Sequence, residues 1–222
     1  MQTIDWQLFQ AINGLAGHSQ LPDQFFKLCT QYLAVVLLVL VATLWFTPGE
    51  SAAVSGRRQR LVVYAVLAAV LALAVNQGIG SLWFRPRPFV QHTVTVLVPH
   101  SPDNSFPSDH ATGGFALAVV VVLLRDRWAR ILGCVLIALA ALLAFSRVYV
   151  GAHYPFDVVT GICVGTAAAV VVTLVSPALD PLVERLLRRR ERLTVAIMAA
   201  VGLGRWRIAA CRAEGDGKQD VA

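Results

Sequence analysis

The sequence is poor in charged residues. Only 14% of its 222 residues are charged, whereas 57% are hydrophobic, and soluble domains carry roughly 25% charged residues. This shortage excludes an ordinary soluble domain and indicates a protein of the membrane. The formal net charge of +6 comes almost entirely from arginines in short clusters between apolar runs. That pattern is typical of membrane topology rather than of a nucleic-acid surface, so no nucleic-acid partner is expected.

Cysteine and clustered acidic residues are also scarce. The four cysteines lack the spacing of a metal site or a disulfide framework, and the acidic residues are scattered, so we expect no metal and no cofactor. The N-terminus lacks the basic region and apolar stretch of an ordinary signal peptide. Residues 2–17 instead carry apolar residues at helical spacing, which predicts an amphipathic helix on the membrane surface or against the bundle.

Apolar runs predict an all-α, polytopic membrane bundle with about five spans. A spanning helix needs about 20 residues, and the third run reaches that length only when it is extended to 108–125. The five runs are residues 25–47, 61–84, 111–124, 131–145 and 156–175.

Arginine clusters predict the orientation of the bundle in the cell membrane. The linker 48–60, the turn 125–130 and the stretch 185–192 are the basic connections, and the positive-inside rule assigns them to the cytoplasm. The N-terminus is then outside, and segments 85–110 and 146–155 share the outer face. We therefore expect one site at that face, since two spans separate these segments and return them to the same side.

The chain is predicted to divide into a membrane-embedded domain, residues 1–180, and a basic cytoplasmic C-terminal segment, residues 181–222. Within this segment residues 193–204 are apolar but short for a span. We expect an interfacial helix there, with a sixth span as the alternative. Nothing in the sequence indicates the oligomeric state.

Polar residues on the outer face are suited to an anion. Arg85 and Arg87 end the second span, and Arg147 follows the fourth. Guanidinium groups are planar, permanently charged donors that match phosphate oxygens. Ser108 is a natural N-cap that places His110 in the first turn of the next helix. Helix N-termini add unpaired N–H groups and a positive dipole end.

The stretch 146–157 supplies a candidate nucleophile. Pro155 fits the first turn of a helix, which places Asp157 in that turn and His153 just before it. A carboxylate there can hold the imidazole by one ring N–H and leave the other nitrogen free to attack. The alternatives are a capping pair at a buried helix end and, for Arg147, a side chain that only extends to the interface.

Two histidines on one face permit acid–base chemistry at phosphorus. One of His110 and His153 can attack while the other protonates the leaving oxygen. By contrast, His92 and His100 are interpreted as ordinary histidines of a surface loop. Segment 89–105, which contains both, is interpreted either as a lid or lateral gate or as a plain connecting loop.

Two motifs resemble the second and third motifs of the type 2 phosphatidic acid phosphatase superfamily. They are Pro107-Ser108-x-His110 and Ser146-Arg147-x5-His153-x3-Asp157. The resemblance covers roughly residues 76–175, the catalytic half. Further stretches are similar to the bacterial undecaprenyl-pyrophosphate phosphatase branch, which is linked to bacitracin resistance. These stretches are Asn76-Gln77, Trp83-Phe84-Arg85-Pro86-Arg87-Pro88-Phe89 and His100-Ser101-Pro102-Asp103-Asn104-Ser105-Phe106.

The resemblance implies a metal-independent phosphatase that works through a phosphohistidine. It implies that His153 attacks the terminal phosphorus, that Asp157 orients it, and that His110 protonates the leaving oxygen and then activates water. It also implies a set of phosphate-holding groups, namely Arg87, Ser108, Arg147 and the main-chain N–H groups near Ser108 and Asp109.

The sequence departs from the superfamily at one charged position. The first motif of the family has a lysine seven residues before the arginine that matches Arg87, and Gly80 stands there instead. The chain has only two lysines, Lys27 and Lys218. Arg85 is a candidate to replace the missing positive charge at the phosphate.

A site between apolar helices and the outer surface favours a substrate with a lipid tail. The leading hypothesis is hydrolysis of undecaprenyl pyrophosphate to undecaprenyl phosphate and phosphate, as in peptidoglycan carrier-lipid recycling. The alternatives are a broader lipid phosphatase, acting on phosphatidate or phosphatidylglycerol phosphate, and a non-catalytic protein that binds or transports lipid phosphates.

Overall fold

The chain is all-α in the computed structural model, which describes residues 2–47, 49, 51–123 and 127–200. Within these ranges there are seven helices: α1 (Gln2–Asn13), α2 (Gln20–Phe46), α3 (Ala52–Leu82), α4 (Pro88–Gln91), α5 (Asp109–Leu123), α6 (Arg127–Tyr149) and α7 (Pro155–Ala200). Four of them, α2, α3, α6 and α7, are long and apolar enough to cross a membrane. The predicted all-α membrane bundle is confirmed.

The predicted third span is the shorter helix α5, which has 15 residues. At a rise of 1.5 Å per residue it is about 22 Å long, against a hydrocarbon core of about 30 Å. Its expected extension to Arg125 falls on residues outside the described ones. The helix packs against α3 and α6, and eight of its residues are buried. The expected five spans therefore correspond to four helices of spanning length and one short helix inside the bundle.

Two glycines of α7 allow that helix to approach the start of α5 closely. A Cβ atom on Gly161 would lie 2.7 Å from the Ser108 carbonyl oxygen, and one on Gly165 would collide with the carbonyl oxygen of Thr112. Because both positions lack a side chain, the first turns of the two helices meet. The main-chain N–H of Ser108 donates to the carbonyl oxygen of Asp157 at 3.0 Å.

Helix α1 packs with polar residues facing inward. Asp5 and Asn13 are buried together with Phe9, whereas Ile4 and Leu8 are exposed. Apolar side chains that face outward suit contact with lipid, whereas an amphipathic helix of a soluble protein turns its apolar face inward. Of the two predicted placements for this segment, the structure has the packed one.

The loop after α4 is attached to the bundle at several points. Thr95 exchanges two hydrogen bonds with the Asn13 side chain, at 2.8 and 3.1 Å, and the Leu97 N–H donates to the carbonyl oxygen of Val150. Farther on, the Ser105 N–H donates to the carbonyl oxygen of Arg85 at 2.8 Å. These contacts hold the loop on α1, on the end of α6 and beside the end of α3, which brings Ser105 to the first turn of α7.

The chain forms two compact units, Met1–Pro177 and Ala178–Ala222, and the candidate site lies in the first. Helix α7 includes the predicted fifth span and the described part of the predicted interfacial helix, residues 193–200. Residues 201–222 lie outside the described residues. In the second unit Arg188 pairs with Glu184 at 3.2 Å. The domain boundary after residue 180 and the cytoplasmic assignment of the tail stay predictions.

Candidate active site

His153 sits in a tight turn between α6 and α7. The N–H groups of Ala152 and His153 both donate to the carbonyl oxygen of Arg147, at 3.0 and 3.2 Å. Gly151 has a φ of +84°, a backbone conformation that glycine adopts without strain, and a Cβ there would lie 2.5 Å from the Thr95 carbonyl oxygen. The turn therefore fixes His153 next to the C-terminal end of α6. Only 3% of the surface of His153 is exposed.

The ring of His153 presents its unprotonated nitrogen to two arginines. Nδ1 lies 2.8 Å from the carbonyl oxygen of Ser105, and because a carbonyl only accepts, we assign the ring proton to Nδ1. Nε2 lies 3.2 Å from Arg87 Nη1 and 3.4 Å from Arg147 Nη2. Burial, followed by the charges of Arg147 and Arg87, lowers the pKa of His153 well below its ordinary value. The imidazole is therefore neutral, and its Nε2 lone pair faces the N–H donors of both arginines.

Asp157 reaches His153 through an intermediate residue. The expected direct hydrogen bond is not formed, because Asp157 Oδ2 lies 4.0 Å from His153 Nδ1. That oxygen instead accepts from Ser105 Oγ at 2.5 Å and from the Tyr154 N–H at 2.9 Å. Ser105 therefore stands between the carboxylate and the ring. Sequence analysis did not single out Ser105, although it lies in the stretch that resembles the undecaprenyl-pyrophosphate phosphatase branch.

Arg85 is bound to carboxylates behind His153. Its Nη1 donates to Asp157 Oδ1 at 2.6 Å and its Nη2 to Asp5 Oδ2 at 2.5 Å. Burial alone would lower the pKa of Arg85, but the charges and hydrogen bonds of Asp157 and Asp5 outweigh it and the net pKa is raised. This arginine is charged and belongs to the Asp157 network; its predicted contact with phosphate stays a prediction. Asp5 was missed in the sequence.

The position of the missing family lysine is closely packed. The carbonyl oxygen of Gly80 accepts from Asn104 Nδ2 at 2.7 Å. A Cβ atom on Gly80 would lie 3.1 Å from that amide nitrogen and 3.3 Å from the Phe106 carbonyl oxygen. The loop between α4 and α5 therefore occupies the space beside α3 into which a side chain at position 80 would extend.

Two buried donors at the site have no protein partner. Among the described residues, Ser108 Oγ and Arg147 Nε are the buried side-chain nitrogen and oxygen atoms without a hydrogen bond. A buried donor left unpaired costs about 1–3 kcal/mol, and an oxyanion is a matching acceptor for both. Arg87 is oriented by its own contacts, from Nε to Asp103 at 2.6 Å and from Nη1 to the Ala152 carbonyl oxygen at 2.9 Å. The arrangement is suited to a phosphoryl group next to His153 Nε2.

The first turn of α5 is anchored to α3 by a polar network that includes the buried side chains of Asn76 and Thr112. Asp109 Oδ1 accepts from Asn76 Nδ2 at 2.6 Å and from Gln77 Nε2 at 3.3 Å. Asn76 also accepts from Thr112 Oγ1 at 2.9 Å. The carboxylate of Asp109 is thereby held against α3. The predicted assistance to phosphate from the N–H of Ser108 is not available in this structure, because that group donates to Asp157.

His110 and His100 both lie near the arginines. His110, in the first turn of α5, is close enough to Arg147, Arg87 and His100 for their charges to act on it. His100 was expected to be an ordinary surface residue, yet it is half-buried, and burial followed by the charge of Arg147 lowers its pKa. His92 lies elsewhere, stacked on Trp6 with ring centroids 4.0 Å apart.

No group of three or more histidine, cysteine, aspartate or glutamate side chains in the described ranges could hold a metal ion. A reaction without metal stays a prediction, and it would depend on the arginines for charge neutralisation.

The chain thus combines helices of membrane-spanning length with a neutral buried histidine that faces two arginines. Such a fold and site define an integral membrane protein with several spans whose buried donors are suited to an anion. The family model of the PAP2 superfamily matches residues 61–180, more than half of the chain. The chain belongs to the PAP2 superfamily, as its motifs predict, and is a membrane lipid phosphatase of that superfamily.

Individual relatives agree with this membership. The undecaprenyl-diphosphatase BcrC of Bacillus subtilis is 33% identical over 190 residues, which cover 86% of this chain and 93% of the relative. The putative undecaprenyl-diphosphatase YbjG of Escherichia coli is 30% identical, over 74% of this chain and 79% of the relative. The crystal structure of Aquifex aeolicus LpxE superposes with a TM-score of 0.63 at 25% identity, covering 77% of this chain and 94% of that one.

Proposed function

We propose that this protein hydrolyses undecaprenyl pyrophosphate to undecaprenyl phosphate and inorganic phosphate on the outer face of the cell membrane. The observation that carries the proposal is the unprotonated Nε2 of His153 between Arg87 and Arg147, together with two buried, unpaired donors, Ser108 Oγ and Arg147 Nε. A phosphoryl group is the ligand that satisfies both donors and meets the nucleophile. The similarity to two relatives named as undecaprenyl-diphosphatases supports the choice of lipid.

In the first chemical step His153 Nε2 attacks the terminal phosphorus. A P–N bond forms while the bond to the bridging oxygen breaks, and His110, which takes up a proton as the anionic substrate binds, gives it to that oxygen as the lipid monophosphate leaves. The guanidinium groups of Arg87 and Arg147 and the hydroxyl of Ser108 hold the phosphoryl oxygens. Because phosphoryl transfer depends mainly on positioning and charge stabilisation, these donors supply most of the required catalysis.

In the second step water attacks the phosphohistidine. His110, now without its proton, accepts one from the water, the P–N bond breaks, and inorganic phosphate leaves. During both steps Asp157 stabilises the ring of His153 through Ser105, whose hydroxyl donates to Asp157 and whose carbonyl oxygen accepts from His153 Nδ1. No step in this sequence uses a metal ion or another cofactor.

A lipid tail is supported by the surface next to the site. Leu82, Trp83 and Phe84 directly precede Arg85 and are 89%, 68% and 67% exposed. Exposed aromatic residues at the end of a membrane helix are typical of the interface between hydrocarbon and headgroups. A substrate there would keep its tail in the bilayer and extend its pyrophosphate toward the arginines.

The test is phosphate release by the purified full chain in detergent, with a chelator present. We expect undecaprenyl pyrophosphate to be hydrolysed with the highest kcat/KM in a panel that includes undecaprenyl phosphate, phosphatidate and phosphatidylglycerol phosphate. Loss of activity on chelation would overturn the metal-independent mechanism. A clear preference for phosphatidate would indicate a broader lipid phosphatase, and no release from any lipid would indicate a binding protein.

The histidine assignment predicts the largest loss of activity. His153→Ala removes the attacking nitrogen and His110→Ala the proton donor, and each should lower kcat by at least about a thousandfold. His92→Ala is the matched control, because this histidine stacks on Trp6 outside the site and its loss should leave kcat near the wild-type value. Near-normal turnover by His153→Ala would show that the nucleophile is wrongly assigned.

A further inference from the structure

Helix α1 contributes a carboxylate to the group of residues behind His153. Asp5 is 1% exposed, although neighbouring apolar residues of its helix face outward. Asp5 Oδ2 accepts from Arg85 Nη2 at 2.5 Å, and Asp5 Oδ1 accepts from the Phe156 N–H at 2.9 Å. Both oxygens are therefore bound to groups that lie directly next to Asp157.

Arg85 is held between two buried carboxylates. One side of its guanidinium binds Asp5, the other binds Asp157 Oδ1 at 2.6 Å, and its Cζ lies 3.9 Å from the centroid of the Tyr154 ring. Charge-assisted hydrogen bonds on two sides and an aromatic ring against the face leave the guanidinium little freedom. Because Arg85 is fixed, the carboxylate of Asp157 is fixed as well.

Asp5 also acts on the first turn of α7. The first N–H groups of a helix have no partner within the helix, and here two carboxylates supply acceptors. Asp157 accepts from the Tyr154 N–H, and Asp5, from a separate helix, accepts from the Phe156 N–H. Negative charge at this end also matches the positive end of the α7 dipole.

The contacts continue from Asp157 to the attacking ring. Asp157 Oδ2 accepts from Ser105 Oγ, and the Ser105 carbonyl oxygen accepts from His153 Nδ1 at 2.8 Å. Without Asp5, Arg85 would lose one of its two anionic partners, and the Phe156 N–H would lose its acceptor. Asp157, Ser105 and the His153 ring would then be free to shift together.

We propose that Asp5 is a positioning residue of the active site, which acts through Arg85 and the Phe156 N–H on Asp157, and through Ser105 on His153. The proposal rests on the proposed phosphatase function. It makes the N-terminal helix part of the catalytic unit, whereas apolar spacing alone indicates only an anchor. It also assigns Arg85 to the support of the nucleophile.

The test compares purified full-length variants in detergent, with kcat and KM expressed per folded protein. Asp5→Asn should lower kcat roughly 10- to 100-fold, because a misplacement of about 1 Å costs on the order of 100-fold, while KM changes little. Asp5→Glu keeps the charge and should restore part of kcat. Asp23→Asn is the matched control: this carboxylate accepts from the Tyr149 hydroxyl at 2.9 Å, away from the cluster, and its loss should leave kcat unchanged.

A double variant decides whether Asp5 works through Arg85. Asp5→Asn combined with Arg85→Gln removes both members of one salt bridge, while Asp157 keeps its hydrogen bonds from Ser105 and Tyr154. Its kcat should fall by about as much as that of Arg85→Gln alone, since residues acting through one contact are not additive. Wild-type kcat in either variant, or losses that multiply, would overturn the proposal. A wild-type chain that releases no phosphate would instead overturn the proposed function.

Discussion

The two flanks of His153 differ in how their polar groups are used. On the α1 and α7 flank, Asp5, Arg85 and Asp157 are bound to one another. On the α5 and α6 flank, Ser108 Oγ and Arg147 Nε are buried without a partner among the described residues. In the proposed mechanism the comparison separates support from binding: the first flank holds His153 in place, and the second leaves donors for a phosphoryl group.

The two flanks also differ in their balance of positive and negative charges. Arg85 faces two carboxylates, whereas Arg87 and Arg147 both approach the neutral His153 Nε2, at 3.2 and 3.4 Å. Two guanidinium groups beside one nitrogen repel each other, and a phosphate dianion between them removes that repulsion. In the proposed mechanism the second flank therefore gains electrostatically when the substrate binds, although Asp103 already pairs with Arg87.

Among the tests that compare the two flanks, conservative replacement of one arginine on each flank has the largest expected effect. Arg147→Lys removes planar donors aimed at the phosphoryl group and should lower kcat/KM about 100- to 1,000-fold. Arg85→Lys keeps the charge but cannot bridge two carboxylates, and should lower kcat/KM only about tenfold. Steady-state kinetics and thermal unfolding in detergent measure both. Arg85→Lys should unfold at a lower temperature, while a greater kinetic loss from Arg85→Lys would reverse the assignment of the flanks.

Residues of the α5 and α6 flank, here called the binding flank, could be predicted from the sequence because they lie in short motifs. Arg147 and His153 are six residues apart, and Ser108 and His110 two, so local spacing was enough to name them. Positive-inside topology then brought the two segments to one face. Topology only assigns the two segments to the same face, and the close packing of α5 and α7 at Gly161 and Gly165 brings their residues together.

On the α1 and α7 flank, Arg85 and Asp157 lie in stretches that the sequence marks, whereas Asp5 could not be predicted because its contacts connect distant parts of the chain. Asp5 is 151 residues from Phe156 and 80 from Arg85, and no short-range pattern marks such a contact. Apolar periodicity in residues 2–17 predicted an amphipathic helix on the membrane surface or against the bundle, but it did not indicate that Asp5 and Asn13 turn inward. In a membrane the apolar face of a helix contacts lipid, so polar residues in an amphipathic segment are candidates for the interior.

Two serines give a smaller and more selective test of the flanks. Ser108→Ala removes a hydroxyl that has no protein partner, so we expect about a tenfold or greater loss of kcat/KM with unfolding temperature nearly unchanged. Ser105→Ala removes the 2.5 Å hydrogen bond to Asp157, which should cost about 1–3 kcal/mol of stability. Kinetics and thermal unfolding of both variants measure the two effects. Equal loss of stability in the two variants would remove the distinction between support and binding.

The smallest expected effect is on the pH dependence of stability. Burial, Arg147 and Arg87 lower the pKa of His153 in the folded chain well below its ordinary value, whereas the unfolded chain takes up a proton at that position near pH 6.5. Stability from this residue is therefore complete above about pH 6.5 and decreases as the pH falls below it, by up to about 1.4 kcal/mol per pH unit. His153→Gln lacks this titration, so its unfolding temperature should decrease less than that of the wild type between pH 7 and pH 5. Parallel decreases would mean that the folded ring accepts a proton as readily as the unfolded one, and the arginines of the binding flank would then not keep the nucleophile neutral.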